Sequence, residues 1–189
     1  MENNDRYSSV FGNKKGNIYK GHLQDGKLHV TEIRMSNGNR YIGSIKGGKL
    51  HGVGELYMTN GDKYKGNFVN GDMEGQGRYT YSDGEVDEGI FEKGKFKEGK
   101  HYFNNGSLFD GKVLDDGMTK DGVFYSNDGC ILDGILGENR TFIGTFINAD
   151  GVKQTGIWDS EGEFQPLPIN NHRSTRMCKC KCPSNCNIF

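Results

Sequence analysis

The feature of this sequence that most constrains its fold is a glycine that returns at an almost fixed interval. One series of glycines recurs every 22 or 23 residues, at positions 21, 43, 66, 89, 111, 134 and 156. A second series stands five residues earlier in each interval, from Gly16 to Gly151. Such a period predicts one small supersecondary unit copied along the chain, in which each copy buries a face against its neighbours.

The clearest copy, residues 61–84, indicates what this unit is. Asn-Gly or Asp-Gly dipeptides stand at both ends and in the middle, and they favour tight hairpin turns because glycine accepts a positive φ. Between these turns, residues 63–69 and 75–81 alternate aromatic residues or glycine with polar residues. Alternation with period two predicts two strands joined into one antiparallel hairpin. The predicted fold class is all-β, an elongated array of six to seven hairpin repeats of 22–23 residues.

A column of large apolar residues repeats with the same step and marks the predicted core. Two positions after each glycine of the first series stand Leu23, Ile45, Phe68, Phe91, Val113, Leu136 and Trp158. Large side chains beside glycines on one face of a strand predict rings that lie over bare backbone. A thin sheet can be packed in this way without a second layer, and we expect Phe68 to be buried.

Composition agrees with a repeat array and excludes several other classes of protein. Glycine accounts for 30 of 189 residues and only 33% of residues are hydrophobic, which is too little for a thick helix-on-sheet core. Residues up to 163 carry 20 basic and 25 acidic side chains, so we expect no nucleic-acid partner. The chain shows neither an apolar run of membrane-spanning length nor an apolar leader, so we expect a cytosol-like compartment.

Recognisable catalytic motifs are missing from the sequence. It contains no G-x-S-x-G, no phosphate-binding loop and no G-x-G-x-x-G, and its five histidines are scattered. The paired acids and the Asp-Gly dipeptides lie at predicted turns without the spacing of a calcium-binding loop. We therefore expect a protein that is not an enzyme, with no cofactor and no metal site in the repeat body.

Two consecutive copies carry a fuller motif. Residues 41–61 read YIGSIKGGKLHGVGELYMTNG and residues 64–84 read YKGNFVNGDMEGQGRYTYSDG. These segments resemble MORN repeats, whose pattern is Y-x-G-x-x-x-x-G-x-x-H-G-x-G followed by an aromatic-rich strand and a turn glycine. The resemblance covers about residues 16–162, with degenerate copies on either side. It implies a docking or membrane-proximal module whose catalysis, where there is any, lies elsewhere in the chain.

The same resemblance implies a surface for a protein partner. In MORN adaptors the exposed aromatic residues of the array are expected to meet the partner, which here singles out Tyr41, Tyr64 and Tyr81. The alternative is that these rings only pack on neighbouring glycines.

The C-terminus carries the second strong signal. Four of the five cysteines stand at positions 178, 180, 182 and 186, and the chain ends Cys-Asn-Ile-Phe. This ending fits a C-a-a-X box, and a terminal Phe favours geranylgeranylation. The segment resembles the tails of Ras-like small GTPases, which implies a prenyl group on Cys186 and palmitoyl groups on Cys178, Cys180 and Cys182. Because one lipid chain holds a protein only marginally, the acyl chains and nearby basic residues would complete the anchor.

Other interpretations of these cysteines stay open. Four thiolates in C-x-C-x-C-x3-C can bind Zn²⁺ or Cu⁺, although the spacing lacks the two knuckles of a structural zinc site. A disulfide framework fits poorly with an odd number of cysteines in a chain without a leader. An unmodified tail is the third alternative.

These observations predict four segments. They are an N-terminal lead-in (1–15), the repeat array (16–163), a flexible linker that contains two prolines (164–177) and the lipidation tail (178–189). The function they favour is a lipid-anchored interaction scaffold that presents the array to a protein partner at the cytoplasmic face of a membrane, with the plasma membrane as a candidate. The alternative is a membrane-apposition protein whose sheet contacts lipid or self-associates.

Overall fold

A computed structural model describes residues 8–24, 27–114, 119–136, 141–159 and 163–167. All regular secondary structure in these residues is β, so the predicted fold class is confirmed. The described strands are β1 (Ser8–Gly12), β2 (Ile18–Gln24), β3 (Lys27–Arg34), β4 (Arg40–Lys46), β5 (Lys49–Tyr57), β6 (Lys63–Val69), β7 (Asp72–Thr80), β8 (Val86–Glu92), β9 (Lys95–Tyr102), β10 (Leu108–Val113), β11 (Thr119–Tyr125), β12 (Ile131–Leu136), β13 (Phe142–Ile147), β14 (Lys153–Trp158) and β15 (Phe164–Pro166).

The chain divides into two compact units, a first unit of Met1–Phe96 and a second unit of Lys97–Phe189. In the first unit, each strand from β1 to β8 pairs antiparallel with the next strand along the chain. In the second unit the same holds from β9 to β15. Successive hairpins of this kind are the arrangement that the glycine period predicts.

The strand register brings the glycines opposite one another. In the first unit the directly paired residues are Gly43 and Gly54, Gly54 and Gly66, Gly66 and Gly77, and Gly77 and Gly89. In the second unit they are Gly111 and Gly122, Gly122 and Gly134, Gly134 and Gly144, and Gly144 and Gly156. Each unit therefore has a strip of bare backbone that crosses its strands, and aromatic rings can lie on that strip.

Each unit builds its core on the face that holds this glycine strip, which we call the core face. In the first unit Phe68 is 1% exposed, as predicted, and its ring meets the edges of Tyr41 and Tyr64, with both centroid distances 5.1 Å. In the second unit the buried cluster contains Phe109, Phe124, Cys130, Leu132, Phe142, Phe146 and Trp158. The opposite face of each sheet is the open face.

A polar column at the turns joins consecutive repeats within each unit. The side chains of Asn17, Asn39 and Asp62 accept hydrogen bonds from the backbone N–H of Ser36, Thr59 and Ser82, at 2.9, 3.1 and 2.8 Å. In the second unit, Ser107 Oγ accepts one from Asn127 N–H at 3.2 Å. Because each bond spans 19 or 20 residues, it fixes one hairpin turn against the next.

Two predicted boundaries need correction. Residues 8–12, placed in the lead-in, form β1 and pair with β2. Residues 164–166, placed in the flexible linker, form β15 and pair with β14. Residues 164–166 form a strand because Phe164 packs on the sheet. The centroid of its ring lies 4.8 Å from that of Trp158, and the ring covers the bare backbone of Gly156.

Candidate functional site

The structure places two of the three predicted partner-binding tyrosines in the core. Tyr41 and Tyr64 are 0% and 1% exposed, so the expectation that their rings are exposed is wrong. The physical reason is the glycine strip: a Cβ at Gly54 would lie 2.5 Å from Cζ of Tyr41, and a Cβ at Gly77 would lie 2.5 Å from Cζ of Tyr64. The alternative holds for these two residues, because their rings pack on neighbouring glycines.

The hydroxyls of these buried tyrosines have a structural role. Tyr41 donates a hydrogen bond to the carbonyl of Ser44 at 2.9 Å, and Tyr64 donates one to the carbonyl of Asn67 at 3.1 Å. In both strands the ladder register shifts at the accepting residue, where a β-bulge leaves a backbone group in need of a partner. Burial raises the pKa of Tyr64 to about 12, so this hydroxyl stays protonated at neutral pH.

Tyr81, the third predicted contact, lies at the surface but its hydroxyl is occupied. It is 36% exposed and donates a hydrogen bond of 2.7 Å to the buried carboxylate of Asp87. Beside it, Tyr79 donates one of 2.6 Å to Asp62, and that bond lowers the pKa of Asp62. Asp87 stands in a column where other copies have an aromatic residue. Asp62 and Asp87 thus each accept a hydrogen bond from a neighbouring tyrosine hydroxyl.

The open face of the first unit is lined by charges. Two neighbouring rows run across its strands. One row contains Ile18, Arg34, Arg40, Tyr57, Lys63, Thr80 and Val86, and the other contains Lys20, Glu32, Ile42, Glu55, Lys65, Arg78 and Glu88. Beside these rows, the same face also holds Ile90 and Val53, of which Val53 is 66% exposed. Opposite charges pair across strands, as in Arg40–Glu32 at 2.8 Å and Lys65–Glu55 at 2.7 Å. Such a face is solvated and held by exposed ion pairs.

The open face of the second unit is different, because isoleucines cluster on it across β12, β13 and β14. One row holds Tyr102, Leu108, Tyr125, Ile131, Ile147 and Lys153, and another holds Glu98, Lys112, Asp121, Ile135, Ile143, Ile157 and Gln165. Between them runs a mainly polar row of Lys100, Asp110, Val123, Asp133, Thr145 and Thr155. Ile135, Tyr125 and Tyr102 are 49%, 41% and 37% exposed. An exposed group of apolar residues on a sheet face marks an interaction surface, and we take this face as the candidate site.

The predicted lipidation cysteines, Cys178, Cys180, Cys182 and Cys186, lie outside the described residues. Within the described part of the chain, Cys130 is a buried thiol that is not in a disulfide. The same part shows no group of three His, Cys, Asp or Glu side chains placed to hold a metal ion. The described residues also contain no helix that is long and apolar enough to cross a membrane.

Comparison with protein families identifies two repeats in the chain. Residues 41–63 and 64–86 each match the MORN repeat, as the sequence motif predicts. These two repeats include the Tyr41 and Tyr64 rings and their glycine partners. A comparison with curated protein sequences finds no match.

Comparison with solved structures supports the fold. The SAS-4 (dCPAP) TCP domain of Drosophila melanogaster, solved in complex with a proline-rich motif of Ana2 (dSTIL), has a TM-score of 0.50 and 16% identity over 78% of this chain and 82% of that chain. The TCP10 domain of Danio rerio CPAP, in complex with a peptide of Danio rerio STIL, has a TM-score of 0.32 and 12% identity over 84% of this chain and 87% of that chain. At 16% identity the likeness to the Drosophila domain concerns the fold alone, and the Danio rerio comparison carries no argument.

Proposed function

We propose that this protein is a non-enzymatic interaction scaffold that lipids on its C-terminal cysteines hold at the cytoplasmic face of a membrane. Its docking surface is the open face of the second unit. The observation that carries the proposal is the isoleucine cluster on β12, β13 and β14, where Ile135 is 49% exposed, beside the exposed rings of Tyr102 and Tyr125. Removal of such apolar surface from water by a partner lowers the free energy and so favours binding.

A polypeptide is the class of partner that we propose. The Drosophila TCP domain, which shares the fold, is in complex with a proline-rich motif of another protein. A sheet face with exposed tyrosines, Tyr102 and Tyr125, suits an extended segment whose side chains insert between the rows. Catalysis has no part in the proposal, because the hydrogen-bonded phenols and carboxylates of the first unit have structural roles.

The anchor is the second half of the proposal. A prenyl group on Cys186 supplies one chain, and palmitoyl groups on Cys178, Cys180 and Cys182 supply the second signal that stable anchoring needs. Four basic residues and no acidic ones follow Glu163, and each basic side chain adds about 1 kcal/mol of attraction near an anionic leaflet.

The anchor is tested by fractionating eukaryotic cells that express the wild type and two variants. Cys186→Ser removes the prenyl acceptor, and we expect this variant to move to the soluble fraction. Replacing Cys178, Cys180 and Cys182 with serine keeps one lipid chain, and we expect weak binding to several membranes. Intact mass of the purified wild type reports the lipids directly. Stoichiometric metal without lipid would instead support the thiolate site.

A second candidate is direct contact between the sheet and lipid, and one observation favours it. Six cations and three carboxylates lie in the two rows on the open face of the first unit, within its described residues. A net positive face is attracted to an anionic membrane. If Cys186→Ser still pellets with membranes as well as the wild type, this candidate replaces the lipid anchor.

A further inference from the structure

The centre of the second unit's open face has a defined chemical pattern on β12 and β13. The pairing of these strands sets Asp133 opposite Thr145. Two positions away along each strand, Ile131 pairs with Ile147 on one side and Ile135 pairs with Ile143 on the other. An acidic and hydroxyl centre is therefore flanked on both sides by a pair of isoleucines.

Among the residues that the structure describes, the acidic centre has no cationic partner. Asp133 is exposed and forms no ion pair with any described residue, whereas Asp110 in the same row lies 4.0 Å from the Lys100 ammonium. The face is thus complementary to a positively charged group.

A second copy of this chain is a poor occupant of the face. In a symmetric face-to-face dimer about this centre, Asp133 would meet the same residue of the other copy, and like charges at a contact oppose association. The body of the protein has an excess of acidic residues, 25 against 20 basic up to residue 163, which adds to this repulsion. The occupant must instead bring a cation between two apolar groups.

We propose that this face binds an extended polypeptide segment with the pattern apolar-x-basic-x-apolar. This inference rests on the proposed docking function and specifies the partner's chemistry. Residues two apart on a strand are about 7 Å apart, so the isoleucine pairs lie about 7 Å on either side of Asp133. An extended segment has the same spacing, and its residues i, i+2 and i+4 match the three rows.

Arginine is the basic residue that fits best. Its guanidinium donates two parallel hydrogen bonds to a carboxylate, and the Asp133 side chain is such a carboxylate. The aliphatic part of an arginine side chain also packs on apolar surface while its charged end remains near water, as the flanking isoleucines require. The apolar residues of the segment then cover Ile131 and Ile147 on one side and Ile135 and Ile143 on the other.

The test uses a synthetic ten-residue peptide with Ile-Thr-Arg-Thr-Ile at its centre, titrated into the full chain while backbone amide chemical shifts are recorded. We expect the largest shift changes in β12 and β13. Asp133→Lys is expected to weaken binding about tenfold or more, since it places like charges together. A peptide with Glu in place of Arg should bind Asp133→Lys more tightly than it binds the wild type. Glu88→Lys makes the same charge change at the equivalent position of the first unit and should leave peptide binding unchanged.

Each outcome decides the inference. Absence of shift changes, changes confined to the first unit, or equal binding of both peptides to wild type and Asp133→Lys would overturn it. Because Asp133 is exposed, Asp133→Lys should keep the wild-type circular dichroism spectrum, and the charge-swapped peptide checks that the variant still has a working face. The docking function itself is tested separately, with a photocrosslinking amino acid at position 143. If that residue crosslinks a cellular protein but the probe peptide does not bind, this partner chemistry is wrong and the docking function stands.

Discussion

Gly77→Ala is expected to destabilise the first unit by about 3 kcal/mol, the upper end of the usual cost of overpacking a core and a large effect for a single methyl group. Its Cβ would lie 2.5 Å from Cε2 and Cζ of Tyr64 and closer still to the hydroxyl, where the ring cannot move without losing its bond to Asn67. Gly77 does not have the positive φ that would strain alanine by itself, so the cost comes from this steric clash. Urea unfolding of the variant, followed by circular dichroism and by first-unit amide signals, measures it.

A double-mutant cycle gives this prediction its control. If the clash with Tyr64 is the cause, Gly77→Ala should cost much less in a Tyr64→Ala background than in the wild type. Gln76→Ala, at the neighbouring exposed position, should change the free energy of unfolding little. If the losses of unfolding free energy for Gly77→Ala and Tyr64→Ala were additive, the Tyr64 ring would not depend on the bare backbone of Gly77 for its packing.

Phe68→Ala is expected to cost about 3–5 kcal/mol, the usual range for removing a buried aromatic ring. Phe68 is 1% exposed and joins Tyr41 to Tyr64 through two edge-to-face contacts, so truncation leaves a cavity between two repeats. Val69→Ala is the matched control, because the Val69 side chain is next to Phe68 in sequence but is 43% exposed. A wild-type melting curve for Phe68→Ala, or an equal loss for Val69→Ala, would contradict the assignment of the core face.

The strands and hairpins were predictable because their signals are local. Turn dipeptides and period-two alternation depend on a few neighbouring residues, and the glycine step repeats them along the chain. The burial of Phe68 followed from the same alternation. The roles of Tyr41 and Tyr64 did not follow, because an amphipathic ring at a repeat position suits either a core or a partner surface. Paired glycines beneath the ring decide between them, and pairing depends on strand register.

The candidate site was harder to predict because it depends on contacts between strands. β13 reads Phe-Ile-Gly-Thr-Phe-Ile, with large apolar residues on both faces, which is typical of a strand that is buried on both faces. The structure exposes one of those faces within a single sheet. The turn column of Asn17, Asn39 and Asp62 was missed for a similar reason, since these residues look like ordinary turn formers. The step of 22 or 23 residues between them was the signal that would have revealed this column.

The docking role of the second unit's open face is tested most directly by site-specific photocrosslinking in eukaryotic cells. A benzophenone amino acid replaces Ile143 in one variant and Val53 in a matched one. Both are β-branched residues on an open face, each directly before a paired glycine, but they lie in different units. We predict a discrete crosslinked protein from position 143 and none from position 53. No crosslink from position 143, or equal labelling from both positions, would contradict the docking role of this face.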